Sequence, residues 1–151
     1  AWSAASRSGL PLAVMLIDLD DFKTINDTYG HAVGDMVLRE AAAAMRTAAR
    51  REDSVCRFGG EEFLVICPNT DLASAFLSAE RLRKVIATQH IGVGPTGRHI
   101  TASIGVAARE ADTPDIDALV SAADQALYTA KNGGRDRVCP PVAIRQAPTA
   151  G

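Results

Sequence analysis

The segment Leu12-Ala13-Val14-Met15-Leu16-Ile17-Asp18-Leu19 constrains the fold more than any other stretch of the chain. It is a nearly unbroken apolar run after Pro11, with no alternation of polar and apolar positions. A strand of that pattern is buried on both faces and lies at the centre of a sheet covered on each side. The run ends abruptly in Asp18-Leu19-Asp20-Asp21. Carboxylates at the tip of a buried strand can hold a cation at the sheet edge. The Leu19 carbonyl is free to help there, because the ladder is ending. Asp20 shares parity with Asp18 and is placed either to orient it or to cap the helix that follows.

Arg57-Phe58-Gly59-Gly60-Glu61-Glu62-Phe63-Leu64-Val65-Ile66 is the second point of constraint. Two glycines suit the positive backbone angles of a tight hairpin. Two adjacent anions repel, so a fold that builds them in has a cation to hold there. Neighbouring strand residues point in opposite directions, so one glutamate faces a metal and the other a reacting hydroxyl. Together with the Asp18 tip they form an oxygen-rich site for Mg²⁺, the ion that neutralises charge during phosphoryl transfer.

The rest of the chain alternates helices and strands. A short helix runs from Asp20 or Asp21 to Thr28, and a longer one from Asp35 to Arg51. Ser54–Phe58 and Glu61–Cys67 are strands around the Gly-Gly turn. Leu72–Ile86 is an amphipathic helix, Gly92–Arg98 a loop, Ile100–Ala107 a strand, and Ile116–Lys131 the last long helix, closed by Gly133 and Gly134. A short strand follows at Arg137–Cys139. This order suits an α/β (α+β) sandwich on the ferredoxin-like βαββαβ palm plan, with a mostly antiparallel central sheet flanked by helices. In that plan the first strand and the hairpin lie side by side. The amides of Asp21, Phe22 and Lys23 start a helix and form a phosphate cradle, to which Lys23 adds a charge. Lys131 and Arg135, across Gly133-Gly134, are placed to clamp terminal phosphates.

Composition sets outer bounds. The 151 residues suit one domain, residues 1–139, with a flexible tail over 140–151. Sixteen basic and 18 acidic side chains, net charge −2, leave no basic stripe for a nucleic-acid polymer. No apolar stretch is long enough to span a bilayer, and no signal peptide opens the chain. Cys56, Cys67 and Cys139 lack metal-ligand spacing and read as reduced thiols of a cytoplasmic protein. Ala1 to Ser8 reads as the end of a helix stopped by Gly9, which points to a fragment of a longer protein.

The string Arg57 to Phe63, with Ile17-Asp18-Leu19-Asp20-Asp21-Phe22-Lys23-Thr24-Ile25-Asn26-Asp27-Thr28-Tyr29-Gly30-His31, resembles the GGDEF family of diguanylate cyclases. The likeness extends through Thr101 to Val106 and Ala123 to Lys131, and Glu61 stands where the family has Asp. The resemblance implies a nucleotide-cyclase-like fold that condenses two GTP into cyclic di-GMP and two pyrophosphates, as a homodimer of facing sites. It implies two Mg²⁺ per site, with Mn²⁺ as a substitute, on Asp18, the Leu19 carbonyl and Glu61, with Glu62 near the attacking hydroxyl. Phe22, Lys23, Lys131 and Arg135 would hold phosphates beside Gly59 and Gly60, and Asn26 and Asp35 would read guanine. A carboxylate accepts from guanine N1–H and the 2-amino group, which adenine does not offer. Arg50-Arg51-Glu52-Asp53 fits an inhibitory Arg-x-x-Asp motif for the product, with Arg81 as a secondary contributor.

The family's usual Asp-x-Leu-Thr-x-Leu-x-Asn-Arg turn and its preceding helix are missing or cut short, as is a regulatory domain. The resemblance therefore implies a regulatory domain in a longer parent protein, either cytosolic or membrane-bound with this domain on the cytosolic side. Two other readings stay open: a catalytically silent GTP or cyclic di-GMP binding module, and a palm-type cyclase acting on one nucleotide.

Overall fold

The computed structural model describes Trp2 and residues 9–88, 90–91 and 98–141. Trp2 is helical; most of the helix expected over Ala1–Ser8, nearly all of the loop expected over Gly92–Arg98 and the tail from residue 142 lie outside the described residues.

The chain runs β1 (Leu12–Leu19), α1 (Phe22–Tyr29), α2 (His31–Ala48), β2 (Ser54–Gly59), β3 (Glu62–Pro68), α3 (Leu72–Thr88), β4 (His90–Ile91), β5 (Arg98–His99), β6 (Ala102–Ala108), α4 (Ile116–Asn132) and β7 (Val138–Cys139). Every residue of β1 is buried, as its unbroken apolar run requires. It is the middle strand of a sheet ordered β2-β3-β1-β6-β7. All neighbours are antiparallel except β6 and β7.

The alternation of β1 side chains divides the core in two. Ala13, Met15, Ile17 and Leu19 pack with Phe63, Val65, Ile104 and Val106 under α1, α2 and α3. Leu12, Val14 and Leu16 face the other way, onto Leu119, Ala123 and Leu127 of α4. Each of these larger side chains contributes about 1.5–3 kcal/mol by leaving water. Asp18 continues the second parity, so its carboxylate emerges on the α4 side. Helix α4 lies unusually close to β6 there: a methyl at Gly105 would overlap the Ala123 carbonyl and the Leu127 amide. That backbone-on-backbone approach carries the end of α4, and Lys131 with it, over the strand tip.

Several local expectations are corrected. Helix α2 starts at His31 rather than Asp35, because Gly30 at φ 93° breaks the chain there and Gly34 is carried inside the helix. It ends at Ala48, three residues short of Arg51. A short hairpin flanks the loop expected over Gly92–Arg98 and takes in its last residue: His90 pairs with His99 and Ile91 with Arg98. Neither Gly59 nor Gly60 is among the positive-φ glycines, so the turn does not need them for a left-handed backbone. An irregularity in register between Arg57 and Gly59 shapes the turn instead. Among the described residues, no helix is long and apolar enough to cross a membrane.

Candidate active site

Strand pairing joins the two acidic points. The β1–β3 register sets Asp18 directly opposite Glu62, and the Leu19 N–H donates to the Glu61 carbonyl at 3.3 Å. Beside them lies a cavity of about 200 Å³. Asp18, Leu19 and Glu61 form one wall, and Lys131 and Arg135 another; Phe22 and Lys23 close it at the start of α1. Glu62 is Asp18's cross-strand neighbour rather than a wall of that cavity.

Asp18 is 2% exposed. Burial pushes its carboxyl up from 3.8 to about 6, and the nearby Glu61 and Glu62 push the same way. Lys131 opposes both, donating its Nζ–H to Asp18 Oδ2 in an ion pair. The site thus carries an anion surplus, already drawing on a cation from its own chain. Among the described residues no three His, Cys, Asp or Glu side chains gather into a metal cage. Two carboxylates, Asp18 and Glu61, with the Leu19 main chain alongside, still fit Mg²⁺. That ion is held by one or two protein carboxylates while water and substrate phosphates complete its shell.

Asp20 neither orients Asp18 nor caps α1. Its carboxylate accepts from Thr101 Oγ1 (2.7 Å), Ser103 Oγ (2.7 Å) and the Asp136 N–H (3.1 Å). Asp21 takes the N-cap position of α1 in a left-handed conformation, φ 58°, without a side-chain cap. The Phe22 side chain is buried in the core, so only its main chain is available to a phosphate. Lys23 is exposed and pairs with Asp27 at 3.0 Å. Arg135 lies 4.0 Å from Asp21.

Asp35 lines a cavity of about 620 Å³ together with Leu38, Ala42 and Phe63. Asn26 is not on its wall. The Asn26 side chain packs where a Cβ on Gly34 would stand, and its Oδ1 is buried without a partner. Arg39, Arg46 and Arg57 also line this cavity; the sequence alone gives Arg39 and Arg46 no part, and Arg57 no role beyond its place in the Gly-Gly motif. The heptad step from Arg39 to Arg46, four residues after Asp35, was the available signal. Arg57 braces the turn through Nε–H to the Gly60 carbonyl, 2.8 Å.

The Arg50–Asp53 motif forms a separate site. Arg50 and Asp53 line a cavity of about 330 Å³ with Arg46, Arg51 and Val55. Asp53 Oδ2 accepts the Arg50 N–H at 3.0 Å and lies 3.7 Å from Arg50 Nε. Arg50 Nη2 also donates to Thr70 Oγ1. Even so, Arg50 Nε and Asp53 Oδ1 are buried without hydrogen-bond partners. Arg81 reaches over from α3 to the Ala48 carbonyl at 3.0 Å, at the end of α2 just before Arg50. Underneath, burial pushes the Cys67 thiol up to about 12, reinforced by Asp53.

Residues 1–137 match the family described as diguanylate cyclase, GGDEF domain. The chain belongs to the GGDEF family. This GGDEF chain is 43% identical over 127 residues to diguanylate cyclase A of Treponema denticola, covering 84% of the chain and 34% of that protein. It is 46% identical over 138 residues to the response regulator PleD of Caulobacter vibrioides, covering 89% of the chain and 30% of PleD. The GGDEF chain spans about a third of the length of these curated relatives. In structure it resembles the active GGEEF domain of a diguanylate cyclase from Vibrio cholerae, with TM-score 0.88 and 36% identity, over 93% of this chain and 88% of that one. It also resembles the GGDEF domain of DgcB from Caulobacter crescentus, solved with c-di-GMP: TM-score 0.85, 32% identity, 92% and 82% covered.

Proposed function

We propose that this domain joins two GTP molecules into cyclic di-GMP, one GTP held by each of two copies that meet face to face. The observation that carries the reading is Asp18 opposite Glu62 across β1 and β3, beside a cavity that also takes in Glu61, Lys131 and Arg135. Asp18, Glu61 and the Leu19 carbonyl would hold Mg²⁺, which would neutralise phosphate charge and ease deprotonation of a hydroxyl. The α1 amides, Lys23, Lys131 and Arg135 hold the phosphates, while Asp35 and Asn26 select guanine. The ribose 3′-oxygen of one nucleotide attacks the α-phosphorus of the other, and the bond to pyrophosphate breaks. Glu62 receives the hydroxyl proton. The reciprocal attack closes the ring and releases the second pyrophosphate.

Arg50 and Asp53 give the product a second place to bind, where the partly exposed Arg50 guanidinium, steadied by Asp53, can take a guanine edge or a phosphate. Occupancy there holds two domains with their active sites apart, so product slows its own synthesis. The test uses the domain dimerised by a fused coiled coil, given GTP and Mg²⁺, with products identified by mass. Cyclic di-GMP that disappears in Glu62→Ala is the expected result. Bound but unchanged GTP would make the domain a receptor, and cyclic GMP would make it a single-nucleotide cyclase.

A further inference from the structure

We propose that Asp20 is a positioning residue, which fixes the turn that aims Arg135 at the phosphates of the bound nucleotide; this rests on the GTP reading above. Arg135 and Asp136 are consecutive non-glycine residues in the left-handed region, at φ 63° and 47°. Each such residue costs on the order of 1–2 kcal/mol, so a pair persists only where its surroundings over-determine it.

The turn is held from both sides. On the inside, Asp20 is 6% exposed and takes the Asp136 N–H at 3.1 Å. Thr101 and Ser103, donating at 2.7 Å each, fix the carboxylate that receives it. On the outside, Arg83 of α3 donates to Asp136 Oδ1 at 2.7 Å, and Glu80 steadies Arg83 at 2.9 Å. The Arg135 N–H is tied back to the Ala130 carbonyl at 3.0 Å. Between these anchors only the Arg135 side chain is left to extend, and it does so into the cavity that holds Asp18 and Glu61. Asp20 thus sits two residues from the proposed metal carboxylate and lines the same cavity, but both its oxygens are taken by protein donors, so it acts on the substrate through Arg135.

The two roles open to a buried aspartate here, positioning and metal ligation, differ in their response to asparagine. An amide oxygen can take the Oδ2 place and still accept from Thr101 and Asp136. Its NH₂ then faces Ser103, whose hydroxyl rotates to accept. Asparagine therefore keeps the turn, whereas it would be a poor replacement for a metal-binding carboxylate.

The experiment is calorimetric binding of the α,β-methylene analogue of GTP with Mg²⁺, compared with GMP. Asp20→Asn should stay within about threefold of wild type for both nucleotides. Asp20→Ala and Arg135→Met should each weaken the triphosphate by about tenfold, the loss of one charge-assisted contact, and leave GMP unchanged. The double variant should be no weaker than Arg135→Met alone, because both remove the same interaction. Arg83→Met, a half-buried change on α3 that leaves the core intact, should reproduce part of the loss and shows the effect even if Asp20→Ala folds poorly. Additive losses, or equal weakening of GMP and the triphosphate, overturn the inference. Loss of Mg²⁺-dependent binding in Asp20→Asn also overturns it and makes Asp20 a ligand. A wild-type domain that binds neither nucleotide refutes the GTP reading itself, and the inference with it.

Discussion

Replacing Asp18 by Asn should abolish a loss of stability that wild type suffers as pH rises, and remove the proposed Mg²⁺ ligand. Unfolded, this carboxyl ionises near 3.8; folded, it ionises near 6. Between those values the folded state holds a proton that the unfolded state has lost, so stability falls as pH rises through the window. The contribution is fully present below 3.8 and fully lost above about 6. The gap corresponds to about 3 kcal/mol. The side chain is 3% exposed, so little of that is screened by solvent. Asparagine has no such proton, and the decline disappears. Urea unfolding of both proteins at pH 4 and pH 8, without divalent metal, measures it. The advantage of Asp18→Asn over wild type should grow by up to about 3 kcal/mol between the two conditions. A difference between the proteins that does not change with pH refutes the argument, for then Lys131 fully compensates the carboxylate. At pH 8, Mg²⁺ should stabilise wild type and leave Asp18→Asn unmoved.

Further outcomes follow from single contacts. Arg50→Ala should keep its initial rate within about twofold while losing inhibition by added cyclic di-GMP; inhibition equal to wild type removes the Arg50–Asp53 cavity from the account. Gly105→Ala should cost at least about 3 kcal/mol in urea unfolding, because its methyl meets the α4 backbone and neither side can yield. Gly60→Ala should cost under about 1 kcal/mol, since nothing lies within 4 Å of the added carbon and φ is not positive there. Its turnover should nevertheless fall while GTP affinity holds, if the open space above the turn admits the second copy. In the native protein at pH 8, iodoacetamide should modify exposed Cys56 and spare buried Cys67, whose thiol is pushed up to about 12.

What the sequence made legible depended on how far each contact reaches. The apolar run of β1 and the acidic residues ending it are consecutive, so their burial pattern and their chemistry could be read directly from the chain. The Asp18–Glu62 pairing is long-range, but it follows from two strong local signals, a buried strand and a hairpin, that leave few ways to pair. Asp20 marks where this logic stops. Its type and position matched a cap or a carboxylate partner for Asp18, and nothing adjacent to it advertises Thr101, Ser103 or Asp136. Those partners meet it only because β6 lies against β1 and the chain doubles back through two left-handed residues.

Lys131 shows the same limit from the opposite direction. Its place at the end of α4 suggests a phosphate clamp, and nothing near it in the chain announces that it also pairs with Asp18. Charge counting alone could have anticipated some such cation: Asp18 is buried with Glu61 and Glu62 near enough to repel it, and burying such a carboxylate uncompensated costs several kcal/mol. Residue type does not reveal which lysine answers that demand. The missing side chain at Gly105 settles it, because it lowers α4 onto β6 and brings the helix end within reach of the β1 tip. A glycine remote from the chemistry thereby determines which cation the acidic tip receives from its own chain.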